Sequence, residues 1–297
     1  MRRLLVLIMG MALLPLAAAC SPAGQRGAAC DIPAGENGFA DGRQVRSFRI
    51  ALPPGGANAS TPMVVSLHAM TGDAALQEEV SGFSALGAAE GFIAVYPQGE
   101  GLGEEKYWDA APGSADVQDV AALIASLHDE GCSSPQSTYV NGWSMGAMMT
   151  SRLLCERPEI MAGAGMVAGV LPPEPGCRIP GGIAVSIVHS RDDPTVPFDG
   201  RLPSDISGRA GGEQSANFPG ITREAMGRQW ALAKGCPDPV PQTVREPGQT
   251  VTTWTGCGNA PTVVHIRDGG RHDWNPIGPA MPPTSLTLWR DMRLIPG

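Results

Sequence analysis

The chain has no excess of basic residues: 21 lysines and arginines stand against 29 aspartates and glutamates, for a formal net charge of -8. Nucleic-acid binding needs a basic face and finds no support here, and a polyanionic substrate is weakly disfavoured. Beyond the first twenty residues no stretch is apolar for long enough to cross a bilayer. No internal repeat is present. Five histidines without a close ligand pair leave no metal site of the usual spacing, so neither a metal nor another cofactor is expected. Glycine (39) and proline (28) are abundant, which favours turns and long loops over a helical bundle.

What is present begins with a leader. Arg2 and Arg3 precede an apolar run over residues 4–16, closed by Ala17-Ala18-Ala19-Cys20. Residues 1–20 read as a secretory signal peptide, too short for a comfortable membrane span. The closing L-A-A-A-C also reads as a lipobox, with Cys20 lipidated and a cell-envelope location; the plainer reading is an ordinary A-x-A cleavage site and a periplasmic or extracellular protein. Seven cysteines are an odd number, and giving Cys20 to a lipid leaves Cys30, Cys132, Cys155, Cys177, Cys236 and Cys257. Six cysteines in an oxidising compartment can close as three disulfides in fifteen ways. Residues 21–36, small, polar and Gly-rich, read as a flexible tether, and residues 37–297 as one domain.

Within that domain strands alternate with helices. Residues 44–52 alternate apolar and polar as an edge strand does, and residues 63–67 (MVVSL) and 92–96 (FIAVY) are short apolar runs suited to a buried parallel sheet. Residues 77–90 carry helical spacing and end at Gly91, a natural C-cap. A helix over 116–129, a strand over 137–141, a helix over 147–155, a small apolar stretch over 161–168, a strand over 183–189, a helix over 223–234 and a strand over 262–266 follow. This order predicts one doubly wound α/β sheet rather than two domains. The Gly-rich interval 199–219 has weak signals and is a candidate flap.

Between the strand signal over 137–141 and its helix lies Gly142-Trp143-Ser144-Met145-Gly146. A G-x-S-x-G pentapeptide is weak alone in a chain so rich in glycine; its strand–turn–helix setting gives it weight. A serine hydroxyl is a poor nucleophile and has to be lifted out of the sheet to meet a base, and the sharp turn that does so needs glycines to relieve the crowding. Such an elbow belongs to the α/β-hydrolase fold, a mostly parallel sheet with helices on both faces, in which nucleophile, acid and histidine follow in that order. Three histidines come after Ser144. His265 lies inside a strand pattern, and His189 closes a strand before any acid candidate. His272, in the Gly-rich loop DGGRHDW after the last strand, is therefore the candidate base. The acid is expected after the strand ending at His189, where Asp192 and Asp193 are both available; Asp193 is favoured because Pro194 and Pro197 fix its loop. The oxyanion hole is expected from the Met145 amide and from the loop Leu67-His68-Ala69-Met70-Thr71-Gly72, with Ala69 and Met70 left as alternatives.

Taken together, these segments resemble the polyhydroxybutyrate-depolymerase and feruloyl-esterase group of secreted α/β-hydrolases. The resemblance covers about residues 41–274. It rests on LHAMTG at Leu67, YPQG at Tyr96 with Trp108 and Asp109 beyond it, DVQDV at Asp116, YVNGWSMGAMMT at Tyr139, HSRDDPTVP at His189 and GGRHDW at Gly269. Matched residue by residue, the resemblance puts the triad on Ser144, Asp193 and His272, and it implies a disulfide between Cys236 and Cys257; Cys155 with Cys177 and Cys30 with Cys132 are the remaining candidate pairs. Two departures stand out: Ala69 where the group usually has glycine after the histidine, and Asn275 where proline usually follows the tryptophan.

The function this implies is hydrolysis of a carboxylic ester through an acyl-enzyme. Feruloyl or acetyl esters on plant polysaccharide fragments, or short hydroxyalkanoate oligomers, are the expected substrates, because the chain ends about twenty residues after the histidine loop and carries no second, substrate-binding module behind a Thr- or Pro-rich linker. The alternatives are an acyltransferase of related fold and a non-catalytic surface binding protein. Any membrane association is expected only through the N-terminal lipid.

Overall fold

The computed structural model describes residues 29–40, 45–100, 106–201, 222–275 and 281–295. The expected signal peptide, Cys20, the first part of the tether and most of the candidate flap lie outside these residues.

Ten strands form one sheet. They are β1 (Gly35–Ala40), β2 (Val45–Ala51), β3 (Met63–Leu67), β4 (Ile93–Pro97), β5 (Thr138–Trp143), β6 (Gly163–Val167), β7 (Ala184–Ser190), β8 (Val240–Glu246), β9 (Gln249–Thr255) and β10 (Thr262–Arg267), in spatial order β1-β2-β4-β3-β5-β6-β7-β10-β9-β8. The six strands from β4 to β10 pair in parallel, while β1 and β2 on one side and β9 and β8 on the other run antiparallel. This is the expected mostly parallel, doubly wound sheet with an antiparallel fringe at each edge.

The apolar runs form the middle of the sheet because both of their faces are covered. Met63, Val65 and Leu67 of β3 pack into one core with α3 (Ala115–Asp129), α4 (Met145–Glu156) and Trp230 of α5 (Arg223–Ala233). Val64, between them in sequence, points to a second core with Phe83 of α2 (Phe83–Glu90) and Leu288 and Trp289 of α6 (Thr284–Asp291). The period-two alternation thus feeds two layers of helices, and every β3 side chain is buried.

Several expectations need correction. The single helix over 77–90 is two: α1 (Ala74–Ser81), capped by Asp73 accepting from the Leu76 amide at 2.7 Å, and α2, separated by Gly82 at φ 65°. A left-handed residue ends one helix and lets the next start in a new direction. The tether does not extend through residue 36. Ala29 bridges to Asn58, Cys30 is bonded to Cys132, and β1 begins at Gly35, because β2 offers an edge to pair with. The β8–β9 hairpin and α6 carry no signal in the periodicity; β8 is exposed along its whole length, so no apolar alternation marks it.

Three disulfides pin the periphery: Cys30–Cys132, Cys155–Cys177 and Cys236–Cys257. Cys236–Cys257 is the pair the resemblance implied, and the other two are the remaining candidate pairs. The first ties the N-terminal segment to the turn after α3, the second holds the end of α4, and the third joins the end of α5 to the end of β9. Three such bonds fit an oxidising compartment. Among the described residues no helix is long and apolar enough to cross a membrane.

Candidate active site

The site forms at the carboxyl ends of β3, β5, β7 and β10, where loops of an open parallel sheet leave a crevice. Ser144 sits between β5 and α4 at φ 53° and ψ -114°, a conformation a non-glycine residue adopts only when its surroundings impose it. The two glycines of the pentapeptide explain how the turn closes. A Cβ on Gly142 would lie 2.2 Å from the Gly146 carbonyl group, and one on Gly146 would lie 2.2 Å from the Leu67 carbonyl oxygen. Neither position has room for a side chain. The Ser144 amide donates to the Val167 carbonyl at 2.8 Å, which fixes the turn against β6.

Three segments distant in sequence meet at this serine. The His272 Nε2 is 2.9 Å from Ser144 Oγ, and its Nδ1 is 2.8 Å from Asp193 Oδ2. The other carboxylate oxygen of Asp193 accepts from the Thr195 and Val196 amides at 2.9 and 2.8 Å. Those two bonds lock the carboxylate in one orientation. Asp192, left open as the alternative acid, turns the other way and accepts from the Arg271 amide at 2.9 Å. The adjacent carboxylates therefore do different work: one faces the imidazole and the other holds the backbone of the imidazole's loop.

That loop is braced further. Trp143 Nε1–H donates to the His272 carbonyl at 3.0 Å. Arg267 donates to the Trp274 carbonyl at 3.0 Å, and the Asn275 side chain donates to the Val80 carbonyl of α1 at 3.2 Å. The residue that departs from the usual proline thus anchors the loop to α1. Sequence reasoning did not single out Trp143; its place next to the serine was visible, its reach to the histidine loop was not.

The remaining histidines are placed by their partners. His68 Nε2 accepts from the Gly99 amide at 2.9 Å and Nδ1 lies 2.8 Å from the Ala69 carbonyl, so the ring is the neutral Nδ1–H tautomer. Burial pushes its pKa down to about 4. It shapes the loop after β3. His265 lies 2.7 Å from Asp291 of α6. His189, fully buried, lies 2.9 Å from the Val196 carbonyl and 3.6 Å from Asp193 Oδ2; burial, and then the Arg223 charge, lower its pKa to about 4.

A cavity of about 300 Å³ opens beside the serine, lined among others by Ala69, Met70, Gln77, Trp143, Thr195 and His272. Ala69 and Met70 thus flank Ser144 from the β3 side, and Met145 opens α4, where the first amides of a helix lack intrahelical acceptors. In the same loop the Thr71 amide is spent on the Lys106 carbonyl at 2.7 Å and the Gly72 amide on Ala69 at 3.0 Å. Among the described residues no cluster of three or more His, Cys, Asp or Glu side chains of the kind that holds a metal ion is present.

The fold is that of an α/β-hydrolase. A model of the prolyl oligopeptidase family matches residues 79–173, the stretch that contains the serine turn. In sequence the chain is similar to proteins named as esterases. It is 29% identical to NocK of Nocardia uniformis subsp. tsuyamanensis over 78% of this chain and 71% of that one. It is 34% identical to poly(3-hydroxyalkanoate) depolymerase C of Paucimonas lemoignei over 39% of this chain, which spans only 30% of the depolymerase. An acetyl xylan esterase from Aspergillus awamori superposes with a TM-score of 0.57 at 16% identity, covering 82% of this chain and 95% of that one, a likeness of fold. These relatives bear out the resemblance and support a carboxylic ester hydrolase.

Proposed function

We propose that this protein is a serine carboxylic-ester hydrolase in which Ser144 is the nucleophile, His272 the general base and Asp193 the residue that orients it. The observation that carries this reading is the unbroken run of contacts from Ser144 Oγ through the His272 ring to Asp193, at 2.9 and 2.8 Å. In this mechanism His272 Nε2 takes the hydroxyl proton as Ser144 Oγ adds to the ester carbonyl. Asp193, on Nδ1–H, holds the ring in the required tautomer and stabilises the imidazolium. The tetrahedral intermediate collapses, the imidazolium hands its proton to the departing alcohol, and a water activated by the same nitrogen releases the acid. The Met145 amide, with that of Ala69 or Met70, supplies the oxyanion hole.

The substrates that suit a cavity of about 300 Å³, near the lower end of small-molecule sites, are esters of short acids or fragments: acetyl or feruloyl groups on polysaccharide pieces, or short hydroxyalkanoates. Relatives named acetylxylan esterase and feruloyl esterase support this range. Lipidation of Cys20 is part of the same proposal, supported by the pairing of the other six cysteines; intact mass of the membrane fraction, with Cys20→Ser alongside, tests it.

Initial rates on p-nitrophenyl acetate and butyrate, then on feruloyl, acetyl-xylan and hydroxybutyrate oligomers, test the activity. Wild type turns over at least one class, and Ser144→Ala loses on the order of 10⁴-fold or more. Equal turnover by the two proteins overturns Ser144 chemistry. Preferential transfer to an added alcohol over water reassigns the enzyme to acyl transfer.

A further inference from the structure

The N-terminal segment is fixed at the end of the sheet opposite the crevice. Ala29 bridges to Asn58, and the Cys30 amide donates to the Ala57 carbonyl at 2.9 Å. Those partners lead into β3 at its amino end, whereas Ser144, the His272 loop and the cavity stand at the carboxyl ends of the strands. Two further contacts hold the same end together. Cys30 is bonded to Cys132, which lies between α3 and the amino end of β5, and the Ser133 hydroxyl donates to the Thr61 carbonyl at 2.7 Å. The chain that runs from Cys20 to Ala29 therefore enters the domain at the pole farthest from the serine.

We infer that, with Cys20 lipidated, this pole faces the bilayer and the crevice opens away from it, so that the enzyme acts on esters carried in the aqueous phase and not on esters held in the membrane that anchors it. This rests on the proposed lipidation of Cys20 and on the proposed esterase reading. Lengths decide it. Nine Cα steps separate Cys20 from Ala29, and fully extended they span at most about 32 Å. A domain of about 260 residues has a radius of gyration of about 18 Å, equivalent to a sphere about 45 Å across. Turning the crevice onto the bilayer would carry Ala29 about 45 Å from the lipids, and still about 35 Å with the exit about 60° off the pole. A linker too short to span two points brings their effective concentration close to zero. The pole also offers anionic headgroups nothing to hold. Residues 29–33, 54–61 and 129–137 include Asp31, Asp129 and Glu130, all exposed, and no lysine or arginine.

The test reconstitutes the lipidated chain into phosphatidylcholine vesicles with rhodamine on their headgroups. A donor dye is attached through an encoded azide either at Leu76, 42% exposed on the cavity rim, or at Ser60, exposed beside Asn58. Energy transfer to the bilayer is expected to be several-fold more efficient from Ser60 than from Leu76. Inserting 24 Gly and Ser residues between Gly24 and Gln25 should bring the two close to equal. In parallel, 4-hexadecylphenyl acetate in the same vesicles is compared with p-nitrophenyl acetate in solution. Relative to the soluble ester, the membrane-borne one should be hydrolysed at least about tenfold faster with the lengthened tether than with the native one. Transfer from Leu76 that equals or exceeds that from Ser60 with the native tether, or a membrane-borne rate that the longer tether does not raise, overturns the inference. A Cys20 that carries no lipid by intact mass overturns it together with the lipidation reading, which separates the two failures. The dyes need no turnover, so a protein inactive on p-nitrophenyl acetate sinks the catalytic reading while the order of transfer still supports or overturns the orientation.

Discussion

Asp193 lies between two imidazoles, and they teach different lessons. On one side His272 stands on a loop after β10, partly open to solvent with a side-chain exposure of 19%, with Ser144 at its far nitrogen. On the other side His189 ends β7 with a side-chain exposure of 0%, and its Nε2 reaches the Val196 carbonyl. The two rings share one carboxylate neighbour, yet only the first meets both a hydroxyl and the cavity. Burial holds the second neutral, so it serves as a strut that keeps the Asp193 turn in place. An imidazole next to an aspartate is thus no sufficient mark of a base; what lies at its other nitrogen decides.

The comparison breaks most readily by exchanging the two histidines' fates. His272→Ala is expected to lower kcat/KM on p-nitrophenyl acetate by on the order of 10⁴-fold or more. His189→Gln is expected to stay within about tenfold while lowering stability by about 1–3 kcal/mol, the range for disturbing a buried hydrogen bond, as read by urea unfolding. A loss in His189→Gln that equals that of His272→Ala would erase the distinction. Next in size, Asp193→Asn should cost about 10²–10⁴-fold in kcat by favouring the wrong tautomer. Asp192→Asn, one residue away but turned to the Arg271 amide, should change the same rate only a few-fold.

A smaller effect is read against pH. His68 and His189 have folded pKa values near 4, below the usual histidine value of 6.5. Between about pH 6.5 and 4 the unfolded chain binds protons that the folded one refuses, so their contribution to stability is present above that window and is lost as pH falls through it. The slope attributable to each ring approaches about 1.4 kcal/mol per pH unit within the window. His189→Gln should remove one ring's share of that slope in unfolding curves measured from pH 7 to 4, and an unchanged slope would show that His189 already carries a proton in the fold. Smallest, Trp143→Phe keeps the ring and loses the donor to the His272 carbonyl; a several-fold drop in kcat with little change in KM is expected.

Much of this arrangement was legible in the chain because its constraints are local. The serine turn announces itself through Gly142 and Gly146, whose missing side chains are needed where backbones touch. The buried strands announce themselves as apolar runs, and β3 falls at residues 63–67 as read. The choice of His272 came from its loop position and from setting aside His189 and His265, which lie in strand patterns. What stayed hidden depends on contacts made only after folding. Gly82 looked like one more small residue in a helix, and its left-handed turn, with its amide on the Glu78 carbonyl, is visible only in the fold. The β8–β9 hairpin keeps one strand exposed, and α6 spans barely two turns, so neither leaves a periodic trace. The division of labour between Asp192 and Asp193 turns on which amides the loop offers, and no spacing reports that.

The nucleophilic role proposed for Ser144 is tested by labelling the native protein with a fluorophosphonate and mapping the adduct by peptide mass spectrometry. It predicts a single adduct on the peptide containing Ser144, absent in Ser144→Ala and strongly slowed in His272→Ala. A protein that hydrolyses esters while Ser144 stays unlabelled, or an adduct that persists in Ser144→Ala, would contradict it.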